Sequence, residues 1–444
     1  MTAYYFISDL HIGGEGSLAL CEFETELIEF LKSLSNPAVS TELIILGDAF
    51  SFWEMTRTPP LEKLDVLIQE HPLLFQQFSQ TGETVKITLI PGNHDYELAC
   101  YPQFESALKA YNIHLEVAEV ITRPLPGGRQ IWIEHGHQHD EFNAIADFGN
   151  PYVTPLGYYI VSQVVDTLTE RARFGKYNWL KDIESVYPNE EVPYWFFSNY
   201  FYKEMTPWLR WALVPFLSIA IVSILVFISA ALERAGIVPD GFFSLSWLTF
   251  LKNFGFTGKA LDFMVNAVVF IDGLFIAAFV LTLIPLWLIF KDLSKTLRRY
   301  GFQARKGLKR QKESLYLQAA QKAFSQSPEA LIFIYGHTHQ PSLDKLGDRY
   351  VLNTGSWLKK LQRVPSALKF LPAIYYPSFQ LNYFKIAASK MSGNNRPAVE
   401  IVYECLPKQV VSELTLFEKM AIAGQKTHSL IDIPERTIHS LWAP

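Results

Sequence analysis

Residues 211–232, WALVPFLSIAIVSILVFISAAL, run for 22 positions without a charged side chain, and no other feature limits the possible fold as strongly. About 20 apolar residues in a helix are enough to cross the hydrocarbon core of a bilayer. A second run at 263–290, FMVNAVVFIDGLFIAAFVLTLIPLWLIF, is 28 residues long with Asp272 as its only charge. Buried helices of a soluble domain are the alternative, but those are normally shorter and amphipathic. The expectation is therefore a two-helix transmembrane hairpin. Its flanks set its direction: residues 291–312 carry nine Lys or Arg and one acid, whereas 233–262 carry three of each. The basic side should face the cytoplasm. Two crossings return the chain to the side it left, so both flanking regions are expected on the cytoplasmic face of an inner or plasma membrane. The start, MTAYYFISDLH, has no basic region of the kind that opens a signal peptide. Asp272 is costly in hydrocarbon and suits a polar contact between helices or with a headgroup.

Composition agrees with this division. Charged residues make up 19% of the chain, below the roughly 25% of soluble proteins, and the deficit lies in the two runs. A net charge of −5 and a pI near 6.1 give no support for nucleic acid as a partner. Cys21, Cys100 and Cys405 are far apart and odd in number, which fits a reducing compartment and not a disulfide framework. Nothing in the sequence speaks to oligomeric state.

Outside the runs, apolar strands alternate with helical spacing. Strands are expected at 3–8, 42–46, 85–90, 129–134, 330–335, 349–353 and 399–404, and helices at 18–34, 61–80 and 311–326. Such alternation describes a layered α/β domain with buried strands. The expected organisation is a first part at 1–149, an aromatic-rich linker or cap at 150–206, the hairpin within 207–290, and a second part at 291–357. Residues 358–444 follow as a basic interfacial segment with a C-terminal strand and helix. The basis for the interfacial reading is seven basic residues (Lys359, Lys360, Arg363, Lys369, Lys385, Lys390, Arg396) and no acid between 358 and 399.

Polar clusters stand at the ends of the strands, where open α/β sheets place their sites. In order they are Asp9-Leu10-His11, Gly47-Asp48, Gly92-Asn93-His94-Asp95, His135-Gly136-His137 and Gly336-His337-Thr338-His339. Singly, each could be a helix cap or a satisfied polar group. Together, carboxylates, imidazoles and an amide with no thiolate form a ligand set for Mn, Fe or Zn. Alternate residues of an extended strand end face one way, so His337 and His339 are expected to share such a direction.

This ordered series, D-x-H, GD, GNHD, HG and GHTH, resembles the signature of the calcineurin-like metallophosphoesterases. The resemblance implies a four-layer α/β/β/α sandwich, here interrupted by the transmembrane hairpin, with two divalent metal ions, Mn foremost and Fe or Zn possible. It implies that Asp9, His11 and His339 hold one ion, that Asn93, His135 and His337 hold the other, and that Asp48 bridges them. A hydroxide between the ions would attack phosphorus, while His94, oriented by Asp95, serves the leaving oxygen. His137 suits a supporting or substrate-contacting role and His139 a solvated loop, with Asp140 left open. GDAFSFWE at 47–54 is similar to the UDP-2,3-diacylglucosamine diphosphatase branch, which usually carries Arg where this chain has His94. Phe50 and Trp53 suit either core packing or substrate contact, and Arg57 nearby suits substrate contact. The expected activity is hydrolysis of a phosphoester or pyrophosphate bond in a lipid or lipid-linked substrate at the bilayer. The alternatives are a tethered phosphodiesterase or phosphatase of a soluble nucleotide, and a scaffold without catalysis.

Overall fold

The structure, a computed structural model, describes all residues except 1, 15–20, 36–39, 163–181, 183–184, 187–190, 240, 242, 300–307, 368–370, 391–396, 409–413, 426–436 and 443–444. Two compact units emerge: Met1–Glu204 together with Arg305–Pro444, and Met205–Ala304.

Apolar runs build the strands of the first unit. In chain order they are β1 (Ala3–Ile7), β2 (Thr41–Leu46), β3 (Lys86–Ile90), β4 (Ile113–Leu115), β5 (Val120–Pro124), β6 (Gln130–Glu134), β7 (Ala330–Tyr335), β8 (Ser342–Leu346), β9 (Arg349–Asn353), β10 (Lys360–Val364), β11 (Ile374–Ser378), β12 (Leu381–Lys390), β13 (Pro397–Leu406) and β14 (Thr437–Trp442). One sheet has the order β14-β13-β12-β1-β2-β3-β4 and another β5-β6-β7-β9-β8. Strands β1 to β4 run parallel. So do β6, β7 and β9, with Ile131 opposite Ile332. The long insertion thus falls between two adjacent strands of one sheet.

Strand alternation sends successive side chains to opposite faces, and both faces of the first sheet are covered. Leu27, Phe30, Leu67, Phe75 and Phe104, from helices Glu24–Ser33, Lys63–Glu70, Pro72–Gly82 and Gln103–Lys109, pack on Ile7, Leu43 and Ile87. The opposite face brings Phe6, Ile44 and Ile386 against Ile133, Ile334 and Leu352 of the second sheet. Beyond that sheet, helix Leu308–Gln326 lays Tyr316, Ala320 and Phe324 on Phe333 and Tyr335. The layers are helix, sheet, sheet, helix.

Several expectations change. The helix expected at 18–34 begins at Glu24, with residues 18–20 outside those described. The one expected at 61–80 breaks at His71, because Pro72 lacks an N–H and crowds the helical backbone of the residue before it. Four of the seven basic residues at 358–399 are engaged within the domain. Lys359 pairs with Glu22 and Asp182, both at 2.8 Å, and Arg363 with Glu191 at 3.3 Å. Lys360 is buried, and Lys385 lies over the Tyr5 ring. These four therefore present no free cationic face, which corrects the interfacial reading. Lys369 and Arg396 lie outside the described residues, as do parts of the 150–206 cap and of the basic flank at 291–312.

In the second unit, helices Pro207–Arg234 and Gly255–Arg299 are joined through Leu245–Lys252. Gly273 permits a close approach, since a Cβ there would meet the Phe227 ring at 3.1 Å. Arg234 donates to Asn266 Oδ1 at 2.7 Å, and Asn266 in turn donates to the Asp262 carbonyl. Among the described residues one helical stretch, Gly255–Leu281, is long and apolar enough to cross a membrane, and 11% of it is buried.

Candidate metal centre

The five polar clusters follow β1, β2, β3, β6 and β7, so the parallel strands of both sheets deliver them to one end of the domain. Six non-glycine residues among those described have positive φ: Asp9, His11, Asp48, Asn112, His337 and His339. Five of the six are expected ligands. A left-handed backbone costs roughly 1 kcal/mol or more per non-glycine residue and collects at functional sites, where the surroundings hold it in place. It also corrects the account of His337 and His339. Both lie beyond the end of β7 in left-handed conformations, φ 65° and 58°, and not on an extended strand. Tight turns, not strand alternation, aim the two rings.

Those turns bring seven residues together. Asp9, His11 and His339 form one group of ligand atoms, and Asp48, His135 and His337 another. In the first, His339 Nε2 lies 3.3 Å from Asp9 Oδ1 and 3.2 Å from His11 Nε2. Two imidazole nitrogens at that distance compress their lone pairs unless a proton or cation lies between them. In the second, His135 Nε2 stands 3.1 Å from both Asp48 Oδ2 and Asn93 Oδ1. Asp48 Oδ2 is also 3.8 Å from His11 Nε2 and so faces both groups. An N/O donor set of this composition fits divalent Mn, Fe or Zn.

Close backbone approaches make the arrangement possible. A Cβ at Gly92 would meet Asp48 Oδ1 at 2.2 Å, and one at Gly336 would meet Asp9 Oδ2 at 2.6 Å. The Asp9 carboxylate accepts the His337 N–H at 3.0 Å, drawing the loop after β7 to the end of β1. Asn353 braces that loop by donating to the Gly336 carbonyl and to Thr338 Oγ1, and Asn382 donates to the Thr354 carbonyl. The run Asn353-Thr354-Gly355-Ser356 after β9 is a site element that the sequence reading missed. Its visible signal is the one used elsewhere, a polar cluster with glycine at a strand end.

Residues 3–207 match the calcineurin-like phosphoesterase family. No curated protein matches the chain. Among solved structures, a conserved uncharacterized protein from Streptococcus pneumoniae TIGR4, described as a predicted phosphoesterase, aligns over 91% of this chain and 88% of its own. Its identity is 11% and its TM-score 0.26, too slight a likeness to carry residues across. Calcineurin-like phosphoesterases bind divalent metals, and the two groups around Asp48 are where such ions fit in this chain.

The remaining site residues fall differently from expectation. His94 stacks against Trp53 at 4.3 Å and against His11 at 4.6 Å between ring centroids. Its Nδ1 lies 3.0 Å from Glu54 Oε1, so a glutamate absent from the sequence reading takes the orienting role given to Asp95. Asp95 instead accepts backbone N–H groups of Asp48, Ala49, Phe50 and Gly92, tying the loops after β2 and β3 together. Phe50 is core: it stacks on Phe52 and Phe75 and is closed to substrate. Trp53 is buried against His94, and Arg57 is exposed on the loop beyond. His137 is buried beside His135 and neither ring nitrogen has a hydrogen-bond partner. His139 is not a solvated loop residue, since its Nε2 lies 2.6 Å from Glu134 Oε1.

The two buried carboxylates of the ligand groups are held ionised. Burial opposes ionisation of Asp48, but His135 and His94 outweigh it and hold the carboxyl well below its usual range. Asp9 is likewise lowered against its burial, chiefly by His339. Burial and the neighbouring His94 push His11 down to about 3, leaving a neutral imidazole. Burial opposes protonation of His135 too, yet Asp48 raises it to about 10. His11 is thus already a neutral imidazole, whereas His135 holds a proton against Asp48 that a cation would have to displace.

Proposed function

We propose that this chain is a membrane-anchored, dinuclear phosphoesterase that hydrolyses a phosphoester or pyrophosphate bond of a lipid or lipid-linked substrate at the cytoplasmic membrane face. The observation that carries the chemistry is Asp48, a buried carboxylate facing two separate ligand groups at once. Asp9, His11 and His339 would hold one ion, Asn93, His135 and His337 the other. When bound, such a pair makes water a nucleophile near neutral pH and offsets charge on phosphoryl oxygens. His94, backed by Glu54 and flanked by Trp53, would hand a proton to the leaving oxygen. Asp95 keeps the loops carrying Asp48 and Asn93 in register, and Arg57, exposed on the loop beyond Trp53, would contact an anionic substrate.

Support for the anchor is the apolar stretch Gly255–Leu281 together with the uncharged run in helix Pro207–Arg234. As a hairpin of two crossings inserted between β6 and β7, they would divide the chain as 1–149, 150–206, 207–290, 291–357 and 358–444. The GDAFSFWE stretch favours a lipid-linked diphosphate of the UDP-diacylglucosamine kind. Manganese-loaded protein, incubated with membrane lipid extract and with soluble nucleotides, tests the reading by mass spectrometry. Turnover of a lipid component is expected, while turnover of nucleotides alone would favour a merely tethered enzyme.

A further inference from the structure

Building on that proposed metal centre, we propose that Asp140 is a positioning residue that tunes one of the two ions, the one held through His135 and His337. His337 Nε2 lies 3.3 Å from Asp140 Oδ2, across 197 residues of sequence and the whole insertion. That nitrogen is thereby engaged, which leaves Nδ1 as the ring atom for a cation. A ligating histidine whose second nitrogen donates to a carboxylate is held in one tautomer and orientation and is a stronger base toward the metal. His135 shows the same division of labour with a weaker acceptor: its Nδ1 bonds to the Leu46 carbonyl at 2.6 Å, leaving Nε2 toward Asp48 and Asn93.

Asp140 is itself fixed before it meets His337. It follows the tight turn His137–His139, which Gly136 enters at φ 107°. Its Oδ1 accepts the Phe142 N–H at 3.0 Å, and its Oδ2 accepts from Asn143 Nδ2 at 3.2 Å. Its side chain is 16% exposed, so the pair with His337 is largely withdrawn from water. The other ion's histidines lack such an anchor: among the described contacts, His11 and His339 meet only through Nε2, with each other and with Asp9 and Asp48. The two ion positions are thus built with unequal support, and Asp140 accounts for part of the difference.

Manganese titration of the full chain in detergent, followed by the EPR signal of free Mn, tests this without any turnover. Wild type should bind two ions in two steps. Asp140→Ala should weaken one step by about 10- to 100-fold and move the other less than about threefold, with Asp140→Asn in between. His339→Ala should weaken the opposite step. Equal weakening of both steps, or of none, in Asp140→Ala overturns the inference while leaving the metal centre standing. Wild type that binds no manganese overturns both.

Discussion

Glu54 Oε1 lies 3.0 Å from His94 Nδ1, and both groups are sheltered, with Glu54 buried beneath Trp53. Burial opposes ionisation of Glu54, yet the charge and hydrogen bond of His94 hold its carboxyl below the usual range. Its second oxygen has no partner, so the carboxylate is placed for His94. Removing it should matter most where the leaving oxygen needs a proton. Glu54→Gln is expected to lower kcat by about tenfold or more on a phenyl phosphodiester and far less on its nitrophenyl counterpart. His94→Ala should show the same steepened dependence. An equal loss on both substrates would reduce Glu54 to a packing residue.

Among the described residues, Asp48 is the only carboxylate that faces both ligand groups. Asp48→Asn should therefore weaken both ions together, by about 100-fold or more, and abolish hydrolysis. The same linkage makes metal a stabiliser: at a hundredfold excess over Kd, each ion adds about 2.7 kcal/mol to the folded state. Thermal melts with and without manganese should separate widely for wild type and coincide for Asp48→Asn.

Gly92 has no room for a side chain, because a Cβ would fall 2.2 Å from Asp48 Oδ1 and 2.5 Å from the Asp48 nitrogen. The Asp48 nitrogen is held by Asp95 and Asp48 Oδ1 by the His94 N–H at 2.8 Å, so neither atom can step aside. Gly92→Ala is expected to cost about 1–3 kcal/mol of stability and to remove activity. Urea unfolding alongside a hydrolysis assay checks this; a fully active, fully stable variant would show that the loops are looser than the contacts indicate.

The two sheets are also joined by charge. Arg123 on β5 donates to Glu42 on β2 at 3.0 and 3.1 Å, and Thr88 and Lys86 reach the same carboxylate. Burial raises the Glu42 pKa, but these partners, Arg123 first, bring it below the ordinary 4.5. A lowered folded-state pKa gives stability that is present above the unfolded value and fades as pH falls through the folded one. Arg123→Ala should then cost about 2 kcal/mol at pH 7, with the gap to wild type narrowing below pH 4 as Glu42 protonates. Denaturant midpoints at the two pH values decide it.

The clusters that meet at the strand ends were legible because chemistry there leaves a local mark: Gly47-Asp48 and Gly336-His337 announce a turn and a donor in adjacent letters. The partners of those donors were not legible. Glu54 and Asp140 act through contacts 40 and 197 residues away in sequence, and only the folded chain shows that their oxygens meet ring nitrogens. The same limit misled the reading of the basic stretch, since Lys359 and Arg363 find acids at Glu22, Asp182 and Glu191 that no local pattern reveals. Strands β10, β11 and β12 were missed within that stretch, where charged and aromatic residues blur the period-two alternation that marked β2 and β7.

The position of the insertion yields the last expectation. Because β6 and β7 are hydrogen-bonded neighbours, the chain must leave the sheet after His135 and return before Ala330 on the same side of any membrane it crosses. A pair of crossings satisfies that and a single one does not. Helix Gly255–Arg299 contains a stretch of 27 residues fit to span; if it crosses, the proposed second crossing would come from Pro207–Arg234. The connection between them, 233–262, should then be extracytoplasmic. A reporter fused within it is expected to read as exported, a reporter at the C-terminus as cytoplasmic, and the protein should resist carbonate extraction. Both reporters on one side would leave the apolar helices as something other than a hairpin.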